Sequence, residues 1–298
     1  MSVTNKSVAF LAIAFAISWG ITLGAHFGGL TETIPPGAIL FLMMTGPAIA
    51  ALICTFALEK GRRVDALGLR FRPNIWWLWA WLIPVALAAG SVIFTLVLTE
   101  RTYMDVGEAT IAAIAAQDPA QAEQMRAIPS LGLIIIGFAV TLGALINAPL
   151  LTITEELGWR GYLHHLWRPS GFWRASLATG FVWGLWHAPA VYFYGLNYPE
   201  YPAYGIGVFI LWCMMVSPIM TLVRDRAGST WAAGLFHGGI NAVGGLTVAM
   251  INPPNFPWAG IVGIGGFVAL AIGLGAVVVI RARGSSDEPA LQNSAPAA

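Results

Sequence analysis

Long apolar runs separated by short polar connections organise this chain, and their lengths predict its elements. Runs of about span length cover residues 8–30, 37–58, 75–98, 131–153, 172–193, 203–223, 229–251 and 258–280. At ~1.5 Å per residue, about 20 residues cross the ~30 Å hydrocarbon core of a bilayer. Backbone N–H and C=O groups find no water there, so each run is expected to be helical. The predicted fold class is all-α: a polytopic integral membrane protein of about eight transmembrane helices. A single Lys6 before the first run resembles a signal peptide, but the run is long enough to span and is kept as the first helix.

The connections complete the picture. Lys60, Arg62, Arg63, Arg70 and Arg72 fall in the second connection, and Trp76, Trp77, Trp79 and Trp81 crowd the start of the third run, as aromatic residues do at an interface. With eight spans, every one of the 15 basic residues except Arg101 and Arg126 falls on one side. Basic residues accumulate on the cytoplasmic side, so both termini are expected to be cytoplasmic. Residues 99–130 are polar around a short apolar segment, 109–116, and read as an extramembrane cap with a helical turn or two; gating of a substrate is the less favoured role for it. Residues 161–168 read as an interfacial segment closed by a Pro169-Ser170-Gly171 turn, and the tail from Arg281, rich in Ser, Pro and Ala, as disordered. Three parts follow: 1–130, with three spans, the basic linker and the cap; 131–280, a five-span core; and a cytoplasmic tail, 281–298.

Composition agrees. Hydrophobic residues make up 57% of 298 and charged residues 10%, with a mean hydropathy of +0.73. The formal net charge is +1 and no long basic tract occurs, which argues against nucleic acid as a partner, and the apolar runs make the lipid bilayer one. Cys54 and Cys213 lie inside apolar runs and read as small buried hydrophobes.

Polar residues inside spans are costly, so those present are candidates for function. Glu155, Glu156 and Arg160 follow the fourth run, Trp183 and His187 lie in the fifth, and His237 and Asn241 in the seventh. Glu155 lies 16 residues before Gly171 and His187 16 after it, which puts them at equal depth in an antiparallel hairpin. His237 and Asn241, one turn apart, enter from the same side, and all are expected to converge in the cytoplasmic half. Glu156 and Arg160, at i and i+4, can form an intrahelical ion pair. Glu155 is then left without a counter-charge, as suits a general base acting on water, with His187 sharing that water. Trp183, one turn before His187, would wall the pocket. Singly these residues read as structural as easily as functional. His164 and His165 read as interfacial polar groups beside Trp167 and Arg168, and His26 as non-catalytic. No His-Glu-x-x-His, Gly-x-Ser-x-Gly or Gly-x-x-x-x-Gly-Lys motif occurs.

Glu155-Glu156-x-x-x-Arg160-Gly161, then His187, then His237-x-x-x-Asn241, in an eight-span chain, resembles the CPBP family of intramembrane proteases, also called the CAAX protease and bacteriocin-processing or Abi family. The likeness covers about residues 131–250. One departure is visible: that family usually has Phe-x-x-x-His where this chain has Trp183 before His187. The resemblance implies an intramembrane endopeptidase in which Glu155 and His187 activate water, His237 and Asn241 stabilise the oxyanion, and Glu156 with Arg160 orders the site. It implies a peptide or protein substrate, lipidated in the CAAX-processing members and bacteriocin-related in others. Both a metalloenzyme, with zinc or another divalent ion on His187, His237 and Glu155, and a metal-free glutamate mechanism belong to its description, and the residues leave both open. Two other classes stand against the enzyme: a non-catalytic membrane scaffold or immunity protein, and a proton- or solute-coupled transporter.

Overall fold

A computed structural model describes residues 1–61 and 63–286. Its helices are α1 (Val3–Phe27), α2 (Pro36–Leu58), a short α3 (Arg63–Leu67), α4 (Ile75–Leu98), α5 (Val106–Ala115), α6 (Pro119–Arg126), α7 (Leu131–Ser170), α8 (Phe172–Trp186), α9 (Ala188–Tyr194), α10 (Pro202–Ala227), α11 (Thr230–Ala249) and α12 (Ile264–Ser286). The protein is an all-α, multi-pass membrane protein. Six of these helices, α1, α2, α4, α7, α10 and α12, are long and apolar enough to cross a bilayer. The other two predicted spans are helical but fall short of that standard. The fifth breaks at His187 into α8 and α9, and α11 is diluted by Gly234, Gly238, Gly239, Gly244 and Gly245.

Local chemistry sets the ends. Ser2, Asn74, Asp105, Asp118 and Ser229 each accept a backbone N–H of the first turn of α1, α4, α5, α6 and α11, satisfying donors that a helix start leaves orphaned. Gly195 and Gly228, both at φ 66°, supply the left-handed residue that closes α9 and α10.

The fourth run does not stop at residue 153. α7 continues for 40 residues, ~60 Å at 1.5 Å per residue, twice the thickness of a hydrocarbon core. The predicted interfacial segment 161–168 is thus the continuation of this helix. It continues because its polar side chains find partners inside the protein instead of breaking out to water. Two stretches, Ala139–Gly143 and Thr152–Leu163, are π-helical, with i→i+5 hydrogen bonds and wider turns. Where the second begins, the Thr152 and Thr154 hydroxyls donate to the carbonyls of Ala148 and Leu150, both at 2.7 Å.

Helices in lipid gain little from apolar burial and associate through close packing of small residues. A Cβ on Gly158 of α7 would lie 2.7 Å from Pro47 Cβ and 2.8 Å from the Pro47 carbonyl oxygen of α2. Gly234 and Gly238 seat α11 against Thr152 and Ala148 of α7, and Gly180 and Gly184 seat α8 against Cys213 and Ile210 of α10. At the end of α2, Glu59 pairs with Lys6 of α1 at 2.8 Å and accepts from the Tyr162 hydroxyl of α7 at 3.1 Å. Burial works against the Glu59 carboxylate, but these hydrogen bonds outweigh it and hold its pKa below the usual range. A depressed folded-state pKa means the clasp is intact at neutral pH and weakens as pH falls through that value.

Three expectations need correction. α1 runs over 3–27 and α12 starts at Ile264, with residues 253–263 forming an irregular connection instead of helix. Arg281 to Ser286, expected to be disordered, complete α12; the rest of that predicted tail, 287–298, lies outside the described residues. A two-residue strand β1 (Thr102–Tyr103) in the cap pairs antiparallel with β2 (Ile251–Asn252), which the apolar pattern gave no hint of.

Gly158→Ala is expected to lower stability in detergent by about 1–3 kcal/mol through overpacking against α2. Gly20→Ala, at a position where a Cβ meets nothing within 4 Å, should leave the melting temperature unchanged or raise it. Equal melting of the two variants would show that α2 and α7 do not depend on this contact.

Candidate active site

The π-helical stretch of α7 carries Glu155, Glu156 and Arg160, exposed to only 2, 0 and 1%. The Glu156–Arg160 pair forms, with Arg160 Nη1 donating to Glu156 Oε1 at 3.1 Å. The same oxygen lies 2.8 Å from His237 Nδ1 on α11. A carboxylate oxygen only accepts, so Nδ1 carries the proton and Nε2 is left free. This second partner of Glu156 was absent from the sequence reading, because 81 residues separate the two.

Trp183 links the other groups. Its Nε1 donates to Glu155 Oε2 at 2.8 Å, its ring lies 4.4 Å from the Arg160 guanidinium, and it meets the His237 ring edge-on at 5.1 Å. Glu155, expected to lack a counter-charge, is thus held by a neutral N–H donor. Phe, the residue usual in the resembled family, has a ring but no N–H and could not make this bond.

His187 sits at the break between α8 and α9. Pro189, at the second position of α9, has no N–H to offer the carbonyl one turn back, which ends α8 there. The His187 ring places Nδ1 2.8 Å from the Trp183 carbonyl oxygen. A carbonyl also only accepts, so Nδ1 is the protonated nitrogen and Nε2 is free. Trp186 at 4.6 Å and Phe209 at 4.9 Å hold the ring on two sides.

These groups share one cavity of about 390 Å³. Glu155, Trp183, His187, His237 and Asn241 line it together with apolar walls that include Met43, Trp186, Phe209 and Trp212. Asn241 is exposed to it one turn along α11 from His237. Of the residues singled out in the sequence, Glu156 and Arg160 lie behind this wall. His26 packs against Phe193 at 4.4 Å, outside the cavity. His164, read as an interfacial group, is buried, with Nε2 3.0 Å from Asp225 Oδ1. Glu155 and His187, expected at one depth, line the same cavity although α7 is π-helical and the fifth run is broken.

A free imidazole Nε2 on each histidine and a carboxylate are donors of the right kind for zinc. Among the described residues, however, no group of three or more His, Cys, Asp or Glu side chains is arranged to hold a metal ion. Glu155, His187 and His237 thus line one cavity without forming a three-ligand set.

Residues 131–243 match the family model described as type II CAAX prenyl endopeptidase Rce1-like. No curated protein matches the chain.

Glu156→Gln and Arg160→Ala are each expected to destabilise the protein by about 3–5 kcal/mol, because each strands a buried charge. Removing both partners together should cost less than the two single changes added, a non-additivity that thermal melts of the three variants in detergent would measure. Wild-type melting of both single variants would refute the buried pair.

Proposed function

We infer that this chain is an intramembrane endopeptidase in which peptide hydrolysis runs on a water held between Glu155 and His187, a reading supported by the likeness of residues 131–243 to the Rce1-like endopeptidases. The observation that carries this reading is the hydrogen bond from Trp183 Nε1 to Glu155 Oε2 at 2.8 Å. It occupies one carboxylate oxygen and fixes the plane of the carboxylate, leaving Oε1 to act on water. His187 Nε2, its tautomer set by the Trp183 carbonyl, is a second acceptor in the same cavity.

Glu155 or His187 takes a proton from the water as its oxygen bonds to the scissile carbonyl carbon. The negative charge that moves to the carbonyl oxygen needs donors already in place. Asn241 Nδ2 is a donor in any protonation state. His237 becomes one when Nε2 is protonated, with Glu156 Oε1 beneath the ring as its counter-charge. As the C–N bond breaks, the proton taken from water passes to the leaving nitrogen, giving a carboxylic acid and an amine. Since the donor set does not close as three metal ligands, the reading is the metal-free one, and activity should survive exhaustive chelation. The apolar walls fit a substrate with large apolar groups beside the scissile bond, a prenylated terminus or the apolar part of a bacteriocin-type peptide.

With purified protein in detergent and a panel of prenylated and unmodified peptides, Glu155→Ala should abolish cleavage. Asn241→Ala should lower turnover ~100- to 1,000-fold, the cost of one oxyanion donor. Trp183→Phe, which keeps the ring over Arg160 and removes only the N–H, should lower kcat about 10- to 100-fold, the rate equivalent of one hydrogen bond to a charged group. Full turnover in Glu155→Ala would remove the mechanism, and loss of activity on chelation, restored by zinc, would replace it with a metal-dependent one.

A further inference from the structure

The glycines of α11 fall into two groups. A Cβ on Gly234 would overlap the Thr152 hydroxyl, one on Gly238 would lie 2.7 Å from the Ala148 nitrogen, and one on Gly239 3.1 Å from Pro84 Cβ. Close helix packing accounts for those three. Gly244 and Gly245 have no such reason. A Cβ on Gly244 would meet only Ile261 Cγ2, at an ordinary 3.7 Å, and one on Gly245 would meet nothing within 4 Å. Neither is among the glycines with positive φ, and each weakens a helix interior relative to alanine. Both line the cavity. Of the described glycines at which a Cβ would meet only open space, Gly245 is the one that does so.

These two glycines stand one turn beyond the reacting groups. Asn241 and Gly245 are four residues apart on the continuous helix Thr230–Ala249, hence on one face and ~6 Å apart along it. Val248, ~10 Å from Asn241 along the helix, continues the same lining. An extended peptide covers at most ~3.3–3.6 Å per residue, so the open space lies one or two residues from a carbonyl held at Asn241. His187 and His237, both more than nine-tenths buried, line this cavity with Nε2 unpartnered. The wall beside the glycines is anchored and does not close over the gap. The Ile261 N–H donates to Thr247 Oγ1 at 2.8 Å and its carbonyl accepts from Trp212 Nε1 at 2.9 Å, while the Val262 carbonyl accepts from the Tyr198 hydroxyl at 3.1 Å. Space left open in this way forfeits packing contacts, and a bound group would restore them.

We propose that Gly244 and Gly245 form the floor of a subsite for one bulky apolar group, carried by the substrate within two residues of the scissile bond, and that their missing side chains set how large that group can be. Val248, Ile261 and Val262 continue the subsite and make it apolar. The proposal rests on the hydrolytic reading for the place of the scissile carbonyl, but the size limit can be measured without turnover.

The test uses the full chain in detergent and fluorogenic peptides that differ in one side chain, from alanine through leucine and phenylalanine to an S-alkylated cysteine, with the cleaved bond mapped by mass spectrometry. Gly245→Ala should melt at or above the wild-type temperature. It should nevertheless lower the ratio of kcat/KM for the largest group to that for alanine at least tenfold, since one methylene in an apolar pocket is worth ~10- to 200-fold. Gly245→Leu should extend that discrimination to phenylalanine and leucine. Gly20→Leu, at an open position outside the cavity, should keep the wild-type ratios. Moving the large group four residues from the bond should remove the difference between wild type and Gly245→Ala. Unchanged ratios in both Gly245 variants, or a penalty that follows the group wherever it is placed, would overturn the subsite. Bound peptide also raises the melting temperature, and this rise should grow with group size in wild type and not in Gly245→Leu, whether or not the peptide is cut. Absence of Glu155-dependent cleavage with that size dependence intact would sink the proteolytic reading alone; a rise that ignores group size would sink the subsite.

Discussion

A carboxylate with no access to water must be given its partners by the protein, and Glu156, fully buried, sets that demand at the centre of this bundle. Arg160 and His237 meet on its Oε1. Arg160 brings a second charge to be accommodated, and Trp183 supports it through its ring face. Trp183 in turn uses its N–H to hold Glu155. One buried charge thus couples α7, α8 and α11 and fixes the two carboxylates in different roles: Glu156 is enclosed and paired, while Glu155 stands at the cavity wall with one oxygen free of Trp183. Ion pairs so deeply buried are poor sources of net stability. Their presence here fits retention for arrangement of a site more than for strength of the fold.

The local form of α7 serves the same end. A π-helical stretch is a rare way to wind a helix and is frequent at functional positions. Here it coincides with the motif and with two close contacts of α7, Gly158 on Pro47 and Gly161 on Leu67. Glycine at both positions lets α2 and the linker after it pack directly on the backbone behind the glutamates. The same contacts hold Leu67 and Thr230 against the backbone that carries Glu156 and Arg160.

Much of this was legible in the chain. Because lipid forces every spanning segment into internally satisfied backbone structure, run length alone determined an all-α membrane protein and located helix starts such as Ile75 and Leu131 within a residue or two. Because charge inside apolar runs is expensive, Glu155, Glu156, Arg160, His187 and His237 stood out singly, and four-residue spacing paired Glu156 with Arg160. Those inferences need only local rules. The bond from Trp183 to Glu155, the carboxylate shared between Arg160 and His237, the π-helical winding of α7 and the bond from Thr230 to the Leu67 carbonyl were not legible. Each joins residues 28 to 163 positions apart or depends on how a neighbouring helix satisfies a polar group, and such partners are chosen by three-dimensional packing, for which spacing along one helix carries no signal. The chain therefore named the chemical groups, and only the tertiary structure decided which carboxylate is enclosed with Arg160 and His237 and which is held by Trp183 at the cavity wall.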